Sequence, residues 1–294
     1  MASGDKGAVL VTGASSGIGR ATAMRLERDG YTVFAGVRKQ ADADSLEQAA
    51  AHGRIEPVIL DVTEESSIEA ARIEVEHAVG DAGLAGLVNN AGIANAGPVE
   101  HLPVEEFQRV LDVNLTGQYA VTQAFLPLIR RGDGAIVFIT SMGGLVATPF
   151  MSPYHASKFG VEAVADSLRR ELLPWGIRVV VVEPGSIATP IWEKGAENFA
   201  SAEPKMGGES KRMYGRQLEA MKDTIRTTAE RGIPPEKVAE VISRVIGSDN
   251  PKTRYLVGRD AKLAKRLSTL LGDKVLDRLM RRSMKLPDDA PAPR

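Results

Sequence analysis

The 294-residue sequence contains no cysteine. Disulfides and thiolate metal sites are therefore excluded, which fits a reducing compartment without establishing one. A charge bias is also missing: 37 Lys and Arg against 38 Asp and Glu leave a net charge of -1, so no global basic field points to nucleic acid. No apolar run reaches the ~18–20 residues of a membrane span. The opening MASGDKG has neither the basic nor the apolar region of a secretion signal, and a cytoplasmic location is the expectation. Of the four histidines, His52, His77 and His101 show no metal-ligand spacing, so no metal site is expected.

What the sequence does have is a repeating order. Short apolar runs, AVLVT (8–12), TVFAGV (32–37), IEPVIL (55–60), LAGLVNN (84–90), GAIVFIT (134–140) and IRVVVVEPG (177–185), alternate with longer amphipathic stretches. Strand–helix alternation of this kind predicts a single α/β domain: a doubly wound, Rossmann-like parallel sheet of about seven strands with helices on both faces. The nearly unbroken apolar character of the runs agrees, because strands covered on both faces lose the polar–apolar alternation. TRYLVG (253–258) closes the domain, which spans residues 1–258.

Two segments stand apart. Residues 191–232 are rich in Gly, Lys and Glu, with scattered Trp192, Phe199, Met206, Met213 and Tyr214. An irregular stretch of this length is a functional loop or a disordered one, and the recurring apolar residues favour a substrate lid. Residues 259–286 form an amphipathic extension with Leu263, Leu267, Leu270, Leu271, Val275 and Leu279 on one side and many Lys and Arg on the other. It reads as two helices broken at Gly272, packed on the domain or a subunit, with contact to a membrane surface as the alternative. Residues 287–294, PDDAPAPR, read as a disordered tail.

TGASSGIG, Thr12 to Gly19, follows the first strand and opens a helix, where a glycine loop binds a nucleotide. Gly13 permits the tight turn, Gly17 lets a pyrophosphate approach the backbone, and Gly19 allows close helix packing; the helix N-terminus faces the phosphates. The spacing Gly-x-x-x-Gly-x-Gly resembles the glycine loop of the short-chain dehydrogenase/reductase family. Further elements of that pattern follow in register: LDV with Asp61, NNAG (89–92), Asn114 in DVNLTG, Ser141 thirteen residues before Tyr154, Lys158 four residues after it, and PG with Thr189. The stretch from Tyr154 to Trp192 is similar to the retinol and hydroxysteroid dehydrogenase branch.

Tyr-x-x-x-Lys alone is common, but residues four apart share a helix face, so phenol and ammonium act at one place. An ammonium beside a phenol favours phenolate and should lower its pKa. The resemblance implies that Tyr154 exchanges a proton with the substrate oxygen while Ser141 hydrogen-bonds the same atom. It further implies that Lys158 bonds the nicotinamide ribose and that Asn114 holds a water linking Lys158 to solvent. The cofactor contacts it implies are Gly13, Ser15, Ser16, Gly17, Ile18, Gly19, Arg38, Lys39, Asp61, Val62, Asn89, Ala91, Gly92, Tyr154, Lys158, Pro184, Gly185, Ile187 and Thr189. His155 points away from Tyr154 on the helix and reads as structural or solvent-facing. Asn114-Leu-Thr116 matches a glycosylation sequon, a reading set aside without a secretion signal.

The second strand ends AGVRK. Val37 stands where NAD enzymes of this fold carry an acid, and Arg38 and Lys39 follow, which favours the 2′-phosphate of NADP(H) over NAD(H). The branch implies a secondary alcohol or ketone on a bulky apolar skeleton as the partner molecule, with Met142, Leu145, Phe150, Met151, Trp192 and Tyr214 as pocket candidates. A homodimer or homotetramer through helices at about 103–131 and 153–174 is expected by the same resemblance. The competing reading is a dinucleotide-binding redox sensor on the same fold.

Overall fold

The computed structural model describes residues 6–287. Seven strands, β1 (Ala8–Thr12), β2 (Thr32–Val37), β3 (Ile55–Ile59), β4 (Leu84–Asn89), β5 (Ala135–Ile139), β6 (Arg178–Pro184) and β7 (Arg254–Val257), form one sheet in the order β3-β2-β1-β4-β5-β6-β7. Every neighbouring pair is parallel. The expected fold class is therefore the observed one, and the sequence runs match the strands to within a residue or two.

Period-two alternation along the strands builds two cores. Val9 and Val11 of β1, Val137 of β5 and Val180 and Val182 of β6 face helices α1 (Gly17–Arg28), α2 (Gln40–Ala49) and α9 (Glu236–Ile246). Leu10, Ile136, Phe138, Val179 and Val181 face α3 (Glu65–Val79), α5 (Gly117–Arg131) and α6 (Ser152–Glu171). Both faces of each strand are covered, which is why the runs looked continuously apolar. The strand order reverses between β1 and β4, and at such a switch point the loops leaving the carboxyl ends diverge into a crevice.

The segment after β6 differs from the expectation. It is not irregular but helical, as α7 (Ile191–Ala202) and α8 (Gly207–Glu230). Glycines at 195, 207, 208 and 215 dilute the pattern, yet Phe199, Met206, Leu218 and Met221 pack into a third apolar cluster that stabilises the helices from outside. Tertiary burial outweighs weak helix propensity here. The excursion is pinned at its neck by two backbone bonds, Ala188 N to Ile233 O at 3.0 Å and Ile233 N to Ser186 O at 3.0 Å.

The extension forms α10 (Arg259–Leu270) and α11 (Asp273–Ser283), separated at Gly272. Within the single chain the expected leucine side stays largely uncovered. Leu263, Leu270, Val275 and Leu279 are exposed, while Ala261 is buried and Met280, Met284 and Leu286 join the third cluster. The small alanine, not the leucine stripe, lets α10 approach the sheet. Residues 288–294, most of the expected tail, lie outside the described residues.

Phe138 has no exposed surface and sits in the core under α5 and α6. Phe138→Ala should cost about 3–5 kcal/mol, read as a lower urea midpoint at unchanged slope.

Candidate functional site

The crevice at the carboxyl ends of β1 and β4 is a cavity of about 420 Å³. On one side stands the turn after β1, where Gly13 and Gly17 take positive φ values of 65° and 54°, a conformation glycine adopts without steric cost. Gly19 has an ordinary helical backbone, but a Cβ there would lie 2.2 Å from the Gly13 carbonyl oxygen. Its role is close packing, and it does not line the cavity. Ser15, Ser16, Gly17 and Ile18 do.

The opposite wall is set by Thr12, whose hydroxyl accepts from the backbone N–H groups of Asn90 and Ala91, each at 3.0 Å. The Asn90 amide returns a bond to the Thr12 carbonyl at 2.9 Å. Asn89, expected at the cofactor, faces the core instead: it is fully buried and donates to Thr122 at 2.7 Å. The strand pleat alternates side chains, so Asn90 reaches the crevice and Asn89 does not. Ala91, Gly92, Pro184, Gly185, Ile187 and Thr189 line the wall as expected. Gly185 is forced by Asp260 at the start of α10, whose carboxylate accepts from Ser186 N at 2.6 Å and would lie 2.1 Å from a Cβ at position 185. The extension thus braces the site, a contact no local pattern announces.

At the outer end of the cavity lie Arg38, Lys39, Asp61 and Val62. Asp61 accepts from the Thr63 hydroxyl and backbone N–H at 2.7 and 3.0 Å. Asp42, not anticipated from the sequence, shares this end. At the inner end are Ser141, Tyr154 and Lys158.

Tyr154 and Lys158 sit one turn apart on α6, both buried, at 8% and 4% exposure. The Lys158 amine donates to the Ile139 carbonyl at 2.9 Å, across the gap between α6 and the end of β5. Burial pulls its pKa down to about 8, against the pull of Glu162, which raises it. The phenol behaves contrary to expectation: burial pushes its pKa up, and a hydrogen bond with Ser141 offsets this only in part. Desolvation of the phenolate is the dominant cause, and the Lys158 Nζ stands 5.7 Å from the ring centroid.

Ser141 is held by the turn that follows it. Gly143 and Gly144 lie flush on α6; a Cβ on the first would lie 3.1 Å from the Tyr154 ring, and one on the second 3.2 Å from Glu162 Cγ. His155 fastens the same loop. Its Nδ1 lies 2.8 Å from the Gly143 carbonyl, and its Nε2 accepts from Thr148 N at 2.9 Å, so Nδ1 carries the proton. Burial lowers its pKa, leaving the ring neutral at physiological pH. The expected structural role fits this geometry; the solvent-facing alternative does not, because the residue is buried.

Asn114 lies behind the wall, in a widened helical turn, Asp112–Thr116, between α4 (Val104–Leu111) and α5. Such bulges turn a side chain off the regular helix register. Its amide donates to Ile93 O at 2.9 Å and Ser157 Oγ at 3.0 Å, and its oxygen accepts from Ile93 N at 2.8 Å. Both amide hydrogens are thus used by the protein, so the side chain ties the loop after β4 to α6. Full burial also excludes the sequon reading.

A second cavity of about 420 Å³, largely apolar, opens beside the first beneath α7 and α8. Trp192 and Ala94 line both. Met151 is on its wall, as are Phe199, Met221 and Ile225. None of these last three was among the pocket candidates of the sequence, although Leu218, Met221 and Ile225 recur at helical spacing. Phe150 and Tyr214 pack against the adjoining cluster, with the Tyr214 hydroxyl bonded to Glu100 at 2.6 Å. Met142 and Leu145 line neither cavity.

The sequence model of the short chain dehydrogenase family matches residues 7–199. The chain belongs to this family. It is 34% identical over 283 residues to an NADPH-dependent 3-dehydrocapnine reductase of Ornithobacterium rhinotracheale, covering 94% of this chain and 96% of that one. It is 37% identical over 286 residues to mouse retinol dehydrogenase 5, covering 92% and 87%. A short-chain dehydrogenase structure from Streptomyces avermitilis superposes with a TM-score of 0.74 at 30% identity, covering 96% and 98%. As a short chain dehydrogenase the protein is an oxidoreductase whose fold binds a nicotinamide dinucleotide. The glycine cradle, in which a side chain at position 13, 17 or 19 would meet neighbouring atoms within about 3 Å, fits that group. Among the described residues no group of three or more acidic or histidine side chains could hold a metal. No described helix is long and apolar enough to cross a membrane.

The buried amine has a stability consequence. With the folded pKa near 8 and the unfolded value near 10.5, burial of the charge opposes folding fully below pH 8 and not at all above 10.5. Lys158→Met should therefore gain on the wild type by roughly 3 kcal/mol at pH 7, less the lost Ile139 bond. Denaturant titrations from pH 7 to 10.5 should show that gap closing; a gap constant with pH would refute the assignment.

Proposed function

We propose that the protein is an NADP(H)-dependent oxidoreductase that interconverts a secondary alcohol and a ketone on a bulky apolar skeleton. The observation that supports this reading is a pair of adjacent cavities: a crevice with Arg38 and Lys39 beside Asp42 and Asp61 at its outer end and Ser141, Tyr154 and Lys158 at its inner end, and an apolar cavity that shares Trp192 and Ala94 with it. A dinucleotide sensor needs the crevice but not a buried phenol–amine pair. The burial of that pair is a desolvation cost that proton transfer explains and binding does not.

When bound, the dinucleotide supplies or accepts the hydride. Tyr154 stays protonated through neutral pH, because burial holds its pKa up. In the reducing direction it donates that proton to the substrate oxygen, while the Ser141 hydroxyl donates a second hydrogen bond to the same atom and fixes it. The Lys158 ammonium stabilises the phenolate left behind and would hold the ribose of the bound dinucleotide. In the oxidising direction the same groups work in reverse, with the phenolate taking the alcohol proton. Asn114, His155 and the Gly143–Gly144 turn keep the donors in register.

Arg38 and Lys39 favour the 2′-phosphate, and the 34% identical reductase is described as NADPH-dependent. Asp42 at the same end opposes that preference in part. The apolar cavity and the likeness to a retinol dehydrogenase support a steroid- or retinoid-like skeleton, or another aromatic or aliphatic carbonyl. Helices α7 and α8, hinged at the 186–188 and 233 neck, serve as the lid. We place a homodimer or homotetramer interface on α4 to α6, where Val104, Tyr119 and Phe159 are exposed, and keep the protein in the cytoplasm.

Absorbance at 340 nm with steroid, retinoid, aromatic and aliphatic carbonyls should show oxidation of NADPH in preference to NADH. Tyr154→Phe should retain NADPH binding and lose turnover by about 10²–10⁴-fold. Arg38→Ala should raise KM for NADPH and leave that for NADH unchanged. Preference of the wild type for NADH, or turnover surviving in Tyr154→Phe, would overturn the reading.

A further inference from the structure

Behind Lys158, away from the cavity, lies a cluster of charges that the proposed reaction does not use. Glu162 follows Lys158 by four residues on α6 and is 9% exposed, so its carboxylate is on the same helix face one turn on. Its two oxygens are divided. Oε1 accepts from the Thr140 hydroxyl at 2.7 Å, and Thr140 is itself on the cavity wall. Oε2 accepts from Nη2 and Nε of Arg254 on β7, at 2.9 and 3.2 Å.

The charges facing Glu162 come from four elements. On α6 they are Lys158 and Asp166, the latter bonded to Arg254 Nη1 at 3.0 Å. On β6 it is Glu183, 2% exposed, whose Oε1 has no hydrogen bond and stands 3.7 Å from Arg254 Nε. On β7 it is Arg254, and on α10 Lys265 acts on Glu183. The neutral turn at Gly144 closes the remaining side against Glu162 Cγ.

A carboxylate this deep carries a desolvation cost that its neighbours offset. Arg254 already has Asp166 as a partner and could fasten β7 to α6 without Glu162. What Glu162 alone supplies is a negative charge one helical turn from a buried amine that is itself hydrogen-bonded to a neutral carbonyl.

We propose that Glu162 is a positioning residue for the proton-handling pair: its carboxylate, anchored by Thr140 and Arg254, keeps the buried Lys158 amine protonated. This rests on the oxidoreductase reading of the site given above. The direction of the Lys158 shift agrees, since Glu162 opposes the effect of burial. Glu183 has a different place. Burial first, then the Glu162 charge, pushes its pKa up to about 7, so near neutrality it is partly protonated and adds less than a full negative charge around Arg254.

The test is the ionisation of Lys158 itself. In protein labelled with ¹³C at lysine Cε, the Lys158 signal is assigned by its loss in Lys158→Met, and its titration midpoint is followed in wild type, Glu162→Gln, Glu162→Asp and Glu183→Gln. Glu162→Gln should lower the midpoint by about one pH unit; Glu162→Asp should retain most of the wild-type value, and Glu183→Gln should leave it in place. An unmoved midpoint in folded Glu162→Gln overturns the inference. In parallel, the alkaline fall of kcat/KM for carbonyl reduction should shift to lower pH in Glu162→Gln, with NADPH affinity at pH 6.5 preserved. A uniform loss of rate at every pH, with the limb unmoved, would assign Glu162 a structural role and likewise overturn it. Absence of turnover in the wild type would count against the oxidoreductase reading alone, because the titration is read without substrate.

Discussion

Much of this structure depends on burying one ammonium group at the end of a sheet. Lys158 sits at 4% exposure with its amine on the Ile139 carbonyl, and an unpaired buried charge is among the costliest features a fold can carry. The surroundings are arranged around that cost. α6 is held against β5 by the amine's own hydrogen bond. The following turn of the helix brings Glu162, and β7 brings Arg254 to hold Glu162 in place. β7, last in the chain and at the sheet edge, thereby joins the electrostatics of a site formed mainly by earlier segments.

The same packing explains why so many residues near the site are small. The turn after Ser141 must lie flat on α6 for the hydroxyl to reach the phenol, and Gly143 and Gly144 leave room for Tyr154, His155 and Glu162. His155 then locks the loop through both ring nitrogens. At the outer end Gly19 lets α1 close on the turn of Gly13, and Gly185 lets α10 place Asp260 beneath the 184–187 loop. Preorganisation here consists of backbone brought close to backbone, which leaves the site's few polar side chains one geometry each.

How far this was legible varies with the range of the interaction. The seven strands, the glycine loop and the break at Gly272 were readable because each is a local pattern of periodicity or spacing, whereas Ser141, Tyr154 and Lys158, which line one cavity, were picked out through the family resemblance. The helices α7 and α8 were not, because glycines weaken their signal and Phe199, Met206 and Met221 stabilise them only through contacts with distant segments. Asn89 was misassigned in place of Asn90 because one residue along a strand reverses the facing direction, and the motif alone does not say which of the two is outward. Asp260 and Glu162 escaped notice because their partners lie 74 and 92 residues away. The pKa direction of Tyr154 was misjudged because a neighbouring charge is visible in the sequence and desolvation is not.

The sequence by itself determined the parallel sheet and the glycine loop, since these follow from side-chain period and from residue types at fixed spacing, while Ser141, Tyr154 and Lys158 were singled out only through the resemblance to a known family. Only the tertiary structure decided how Tyr154 and Lys158 titrate, which asparagine faces the crevice, and that an apolar cavity shares Trp192 and Ala94 with it. Those properties depend on burial and on distances between segments far apart in the chain, and neither exists until the chain has closed on itself.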